Sequence, residues 1–113
     1  MDMALGKIAR HDGTTVVLEG AEIVRTYFST DRLTFGMSEL LPGTYGAVDP
    51  GHSEADEVFY CAEGHVLCLF PEENRYYELH KGDALLIPQQ TGHQLFNIGE
   101  TRALILFACA PRP

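Results

Sequence analysis

Short apolar runs separated by turn residues make up most of the chain, and helical periodicity is hard to find. The clearest strand pattern lies in residues 33–41, where Leu33, Phe35 and Met37 alternate with small or polar residues, as on a strand with one buried face. Glycine, proline, asparagine and aspartate recur about every ten residues, which is typical of a β-sandwich or barrel. The pattern predicts an all-β protein with about ten strands. These cover residues 14–18, 22–28, 33–41, 45–48, 57–62, 66–70, 75–79, 84–87, 94–98 and 103–109.

Length and charge narrow the class of protein. The 113 residues fit one domain, 1–113, with a single core. Sixteen acidic side chains against eight scattered basic ones give a formal charge of -8, so nucleic acid is excluded as a partner. The sequence shows neither a signal peptide nor the roughly 18 apolar residues of a membrane span, so we expect a cytoplasmic protein with no membrane partner. Three cysteines, an odd number, are expected to be reduced thiols.

One segment, residues 46–64, concentrates potential metal ligands between two glycines. Three carboxylates within four positions repel one another unless a cation or solvent offsets them, and the apolar run 58–62 that follows argues against a merely solvated loop. The segment therefore predicts a metal site. Its candidate ligands are His52, Glu54, Asp56 and Glu57.

Two segments of the chain resemble the two conserved motifs of the cupin family. The first, residues 46–64, carries Gly46, His52, Glu54, Glu57 and Gly64 at the motif positions, with Glu54 where the family has its second histidine. The second, residues 82–97, carries Gly82, Pro88, Gln90, His93 and Asn97, with Gln90 in place of a glycine. With the strands between them, the resemblance covers residues 33 to about 109.

The resemblance implies a double-stranded β-helix, a jelly-roll barrel formed by a single cupin domain. It also implies a homodimer, formed through the N-terminal strands. Carried over residue by residue, it implies one divalent transition metal, Mn, Fe, Ni or Zn, bound by His52, Glu54, Glu57 and His93. Glu54 lies one residue closer to Glu57 than the motif allows, which breaks the alternation of a strand. Either the chain bulges near residues 55–56, or one of Glu54, Asp56 and Glu57 is not a ligand.

The implied ligands indicate the type of chemistry. Two neutral imidazoles and two carboxylates cancel the charge of a divalent cation, which suits a Lewis acid acting on a hydroxyl or carbonyl group. We therefore favour an isomerase, epimerase or lyase acting on a small molecule, with Glu54 and Asp56 as the candidate catalytic carboxylates that move a proton. A non-haem iron dioxygenase and a non-catalytic cupin that binds a small ligand are the alternatives.

Other positions yield expectations about packing. If Gly64 and His65 form a two-residue hairpin turn, Cys61 and Cys68 face each other across two paired strands. Their thiols are either small core side chains or a reactive pair near the metal. His11, His65 and His80 lie beside turn residues and are expected at the surface. The expected core and pocket lining comprises Phe35, Met37, Phe59, Leu67, Leu69, Leu86, Leu95, Phe96 and Ile105.

Overall fold

The computed structural model describes residues 5–113, and within that range the chain forms nine β-strands and two short 3-10 helices. The strands are β1 (Thr15–Glu19), β2 (Glu22–Ser29), β3 (Thr34–Leu40), β4 (Asp56–Glu63), β5 (His65–Phe70), β6 (Arg75–His80), β7 (Ala84–Ile87), β8 (Gln94–Asn97) and β9 (Ala103–Ala110). The 3-10 helices are His11–Gly13 and Pro71–Glu73. Neither helix is long or apolar enough to cross a membrane.

The strands form two antiparallel sheets. One has six strands in the order β1-β2-β3-β9-β4-β7, and the other has three in the order β6-β5-β8. The inner faces of the sheets enclose a core in which β4, β5 and β9 bury alternate residues. This architecture confirms the predicted all-β double-stranded β-helix.

The segment 45–48 does not form the tenth strand that its composition predicted. The segment and the residue after it pair with two separate parts of the chain, because Gly46 pairs with Gly20, whereas Tyr45 pairs with Phe96 and Asp49 with His93. A segment whose backbone groups are divided among several partners cannot run beside one strand. It instead ties the β1–β2 turn to β8.

The core lies on the expected face of some strands and on the opposite face of others. Phe59, Leu95 and Ile105 are buried as predicted. On β3 and β5 the prediction was wrong, because the buried residues are Gly36, Ser38, Leu40, Val66, Cys68 and Phe70. The expected core residues of these strands, and Phe96 on β8, are half-buried on the outer faces, whereas Leu86 is exposed. At residue 36 only glycine fits, since a Cβ would overlap the Phe107 ring.

The hairpin that would have paired Cys61 with Cys68 is not formed. Cys61 lies on β4 in the larger sheet and Cys68 on β5 in the smaller one, so their strands do not pair. Both thiols are free and fully buried in the core, as small hydrophobic side chains. Burial raises the pKa of the Cys68 thiol to about 12 and also raises that of Cys61.

Candidate metal centre

Asp49 and His93 are positioned by a reciprocal pair of backbone hydrogen bonds. The Asp49 amide donates to the His93 carbonyl at 2.7 Å, and the His93 amide donates to the Asp49 carbonyl at 2.9 Å. The Gly51 amide donates to Asp49 Oδ1 at 2.8 Å, which leaves Oδ2 to face the site. The backbone thus fixes a carboxylate beside an imidazole at the start of β8.

Glu57 and His52 complete a group of four converging side chains. Glu57, the second residue of β4, points inward and is buried. Its Oε1 lies 3.1 Å from His93 Nε2 and 3.4 Å from His52 Nε2. Asp49 Oδ2 lies 3.7 Å from His93 Nε2 and 3.8 Å from His52 Nε2. With metal–ligand bonds of about 2.0–2.2 Å, neighbouring ligand atoms are about 3–3.5 Å apart. The two Glu57 distances suit one ion, and the two Asp49 distances are a few tenths of an ångström longer.

The hydrogen bonds of His93 leave a buried oxygen of Glu57 without a donor. His93 Nδ1 lies 3.0 Å from the Thr91 carbonyl oxygen, which can only accept, so Nδ1 carries the proton. In the neutral ring, Nε2 then presents a lone pair to Glu57 Oε1, which is buried and receives no hydrogen bond. Two lone pairs at 3.1 Å repel each other unless a positive charge lies between them.

The pKa of His93 also indicates that a positive charge is favoured beside Glu57. Burial lowers the pKa of the imidazole, but Glu57, the Thr91 carbonyl and Asp49 raise it by more, so the net pKa lies above the ordinary value. The surroundings of Nε2 therefore favour a positive charge, which a proton or a metal ion can supply.

Two of the predicted site residues lie away from this group. Asp56 is exposed, and its Oδ1 accepts a hydrogen bond from the Gln89 amide at 3.1 Å. Glu54 is exposed in the loop before β4, and its carboxylate is absent from the convergent ligand groups of the described residues. No bulge turns it inward, because Asp56 and Glu57 pair with β9 without a shift in register. The structure thus brings together His52, Glu57 and His93 of the predicted ligands, but not Glu54.

The sequence interpretation missed Asp49, a member of this group, and Cys109, which lies beside it. Asp49 precedes the motif histidine by three positions, and only its pairing with His93 shows that it faces the site. Cys109 lies opposite Glu57 on β9, and its sulfur is within 4.8 Å of donor atoms of Glu57 and His52. Burial and the charge of Glu57 raise the pKa of the Cys109 thiol, which is therefore neutral. Its only sequence signal was its position at the end of the last apolar run.

The second motif contributes structure as well as a ligand. Gln90, which replaces a glycine, has a φ of 62° and donates its amide hydrogen to the His52 carbonyl at 2.6 Å. Asn97 is fully buried, and its Nδ2 donates to the carbonyls of Leu40 at 3.0 Å and Thr101 at 2.9 Å. Gln90 therefore supports the histidine loop, and Asn97 joins β8 to the end of β3.

The group opens into a cavity of about 170 Å³ inside the barrel. Its wall also includes Glu22, the first residue of β2, whose Oε2 accepts a hydrogen bond from Ser38 Oγ. Burial raises the pKa of Glu22 from an ordinary 4.5 to about 7. Gly46 packs directly against this carboxylate, since a Cβ at residue 46 would overlap Glu22 Oε1. The motif glycine is thus required by a side chain outside either motif.

A second histidine group lies on the outer surface, away from the cavity. The rings of His65 and His80 stack with centroids 4.2 Å apart, and both lie beside the Glu78 carboxylate. His11 and His80 are exposed, and His65 is half-buried.

A small barrel with two histidines and two carboxylates converging at one end of its cavity defines the class of protein. Residues 36–109 match the cupin domain family, and the chain belongs to that family. It is 35% identical over 60 residues to an uncharacterized protein of Methanocaldococcus jannaschii, a match that covers 53% of this chain and 46% of that protein. The match thus spans about half the length of that relative.

Solved structures share the fold at low sequence identity. KdgF from Halomonas sp. superposes with a TM-score of 0.78 at 20% identity, covering 96% of each chain. A predicted oxalate decarboxylase from Thermotoga maritima gives a TM-score of 0.77 at 15% identity, covering 93% of this chain and 99% of that one. At these identities the likeness extends to the fold alone.

Proposed function

We propose that the protein binds one divalent transition metal ion through His52, Glu57, His93 and Asp49 and uses it on a small molecule in the barrel cavity. The observation that carries this proposal is Glu57 Oε1, a buried oxygen that has no hydrogen-bond donor and lies within 3.4 Å of two imidazole Nε2 atoms. A buried carboxylate oxygen without a partner is costly, and a cation bound to it removes that cost.

The charge of the four donors is the one inferred from sequence, although one donor differs. Asp49 takes the place expected for Glu54, so two carboxylates and two neutral imidazoles still balance a divalent cation. Mixed nitrogen and oxygen donors suit Mn, Fe, Ni or Zn. Cys109 Sγ is a further donor within reach of His52 and Glu57.

The chemistry that fits this centre is of the isomerase, epimerase or lyase type. A bound ion would polarise a hydroxyl or carbonyl oxygen of the substrate. Around it, Thr91 and Gly51 orient His93 and Asp49, while Phe59, Leu95 and Phe107 give the cavity apolar walls that limit the access of water. The volume of about 170 Å³ restricts the substrate to a small molecule.

Metal analysis of protein purified without added metal tests the site. We expect about one equivalent in the wild type, and a loss of at least tenfold in metal affinity for His93→Ala and Glu57→Gln. Glu54→Ala is the matched control, because it removes a nearby carboxylate that is exposed, and it is expected to keep the metal. A wild type that holds less than about a tenth of an equivalent and takes up none contradicts the proposal.

The alternative of a dioxygenase is favoured by the position of Asp49. Its side chain is 29% exposed, against 7% for Glu57, so it is the donor that an incoming ligand would displace most easily. Two histidines and Glu57 would then remain, the donor types of non-haem iron oxygenases. Oxygen uptake by the iron-loaded protein distinguishes a dioxygenase from an isomerase, epimerase or lyase. A protein that binds a small molecule but takes up no metal would be a non-catalytic cupin.

We also propose that the protein is a homodimer, as its resemblance to small cupins implied. The outer face of the larger sheet carries exposed apolar side chains from one edge to the other, among them Val16, Leu18, Val58, Tyr60 and Leu86. Sedimentation velocity tests the proposal, and Leu18→Glu is expected to yield monomers. Val17→Glu, on the opposite face of β1, is the matched control. A monomeric wild type at micromolar concentration contradicts the dimer.

A further inference from the structure

Glu22 is an acidic side chain of the cavity that belongs to neither cupin motif. It begins β2, is buried, and shares the cavity with Glu57 and His93. Ser38 Oγ donates to its Oε2, and the backbone of Gly46 packs against its Oε1. Two strands and one loop therefore hold the carboxyl group in a fixed position inside the barrel.

The remaining charges around the cavity are mostly negative. Glu19, Asp49 and Glu57 contribute carboxylates to the wall, and His52 and His93 are the only basic side chains there among residues 5–113. No lysine or arginine of that range lines the cavity. If a divalent cation is balanced by Asp49 and Glu57, an entering anion meets no uncompensated positive charge and faces Glu19 and Glu22.

We propose that Glu22, held by Ser38, is the acid–base group of this cavity, and that the cavity selects small neutral or cationic hydroxyl, carbonyl or amine compounds over anions. This inference rests on the proposed metal site, because the bound molecule is expected to contact the ion. Ser38 is a positioning residue, since it acts through the carboxyl group of Glu22.

The proton transfer is balanced within the site. When Glu22 acts as a base, the O–H bond of a substrate hydroxyl breaks, the proton moves to the Glu22 carboxylate, and the electron pair stays on the substrate oxygen. In the reverse transfer the Glu22 carboxyl returns the proton to that oxygen. Where the deprotonated substrate is an enolate, the proton instead forms a new C–H bond with the C=C electron pair, and the oxygen becomes a carbonyl. No oxidant or reductant is needed, which agrees with isomerisation, epimerisation or elimination.

The surroundings of Glu22 make both of its protonation states accessible near neutrality. Without a bound metal ion, burial raises its pKa most, Ser38 and His93 lower it, and Glu19 and Glu57 raise it, for a value of about 7. An acid–base group works best when its pKa lies near the operating pH.

A matched pair of probes tests the selectivity. Glycolamide and glycolate have the same skeleton, but only glycolate is an anion at pH 8. Calorimetry with zinc-loaded protein is expected to show the ratio of glycolate to glycolamide affinity rising about tenfold from wild type to Glu22→Gln, the effect of removing one charge a few ångströms away. Glu100→Gln, which removes an exposed carboxylate outside the cavity, is expected to leave the ratio unchanged.

A second measurement follows the proton directly. Carbon-13 NMR of glutamate-labelled, metal-free protein is expected to show one carboxyl titrating near pH 7. This signal should be absent in Glu22→Gln and shifted to higher pH in Ser38→Ala, because Ser38 favours the charged form. An unchanged affinity ratio, failure of zinc-loaded wild type to bind either probe, or a Glu22 carboxyl that titrates near 4.5 overturns the inference. Zinc content is measured separately, so loss of the metal site is distinguished from failure of the role of Glu22.

Discussion

Replacing Glu22 by glutamine should change how the stability of the protein depends on pH. Glutamine is a neutral isostere of the protonated acid, so the variant keeps the shape of the side chain and removes its titration. Burial raises the pKa of Glu22 from 4.5 to about 7. At about 1.4 kcal/mol per pH unit, this difference corresponds to about 3 kcal/mol of folding free energy.

The sign follows from the raised pKa. Below pH 4.5 the carboxyl is protonated in the folded and unfolded chains, and the stability that it contributes is fully present. As the pH rises from 4.5 to about 7, the unfolded chain releases the proton first, and the folded state loses stability. We therefore expect Glu22→Gln to match the wild type near pH 4.5 and to exceed it by about 3 kcal/mol at pH 8.

Urea denaturation of metal-free protein at several pH values, with chelator present, measures this difference. His93 and the other titrating groups are common to both proteins, so their contributions largely cancel when the two curves are subtracted. Glu19→Gln, which neutralises a neighbouring exposed carboxylate, is the control and should retain most of the wild-type slope. Parallel curves for wild type and Glu22→Gln would refute the reasoning, because they would show that the buried carboxyl has an ordinary pKa.

Two further predictions concern the second motif. Gln90→Gly should raise the free energy of unfolding by about 0.5–1 kcal/mol, because glycine relieves the left-handed conformation at φ 62° although it adds chain entropy to the unfolded state. Gln89→Gly, where the backbone φ is not positive, is the control and should lower the free energy of unfolding. Denaturant titrations of both variants measure the difference. Asn97→Ala should lower the free energy of unfolding by about 2–3 kcal/mol, because it leaves the carbonyl of Leu40 buried without its donor; a loss below 0.5 kcal/mol by the same measurement would contradict this accounting.

Much of the fold could be predicted because apolar alternation and turn residues act locally. Nine of the ten predicted strands correspond to observed ones within a few residues. The face of each strand was harder to predict, because β3 and β5 carry large apolar residues on their outer faces, while their inner faces include the small residues Gly36, Ser38 and Cys68. Ser38 and Gly36 lie inward, since a cavity and the Phe107 ring occupy the space that larger side chains would fill.

Only the ligands that occupy motif positions could be predicted from the sequence. His52, Glu57 and His93 converge as the resemblance implied. Asp49 and Cys109 face the same point through pairing between residues distant in sequence, Asp49 with His93 and Cys109 with Glu57. Such contacts are set by the register between segments of chain, and no periodicity within one segment encodes them.

Asp49 takes the place of Glu54 in the ligand set, which keeps the total charge of the ligands and changes the geometry of the site. Together with Glu57, either carboxylate gives two negative charges against a divalent ion, so the preference for a Lewis acid does not depend on which one binds. Asp49, however, is held by the Gly51 amide and by its backbone pairing with His93, whereas Glu54 lies exposed in a loop. A rigidly held donor binds at a lower entropic cost. Glu54 and Asp56 lie outside the cavity, whereas Glu22 lines it and accepts a hydrogen bond from Ser38, so the proposed acid–base role falls to Glu22.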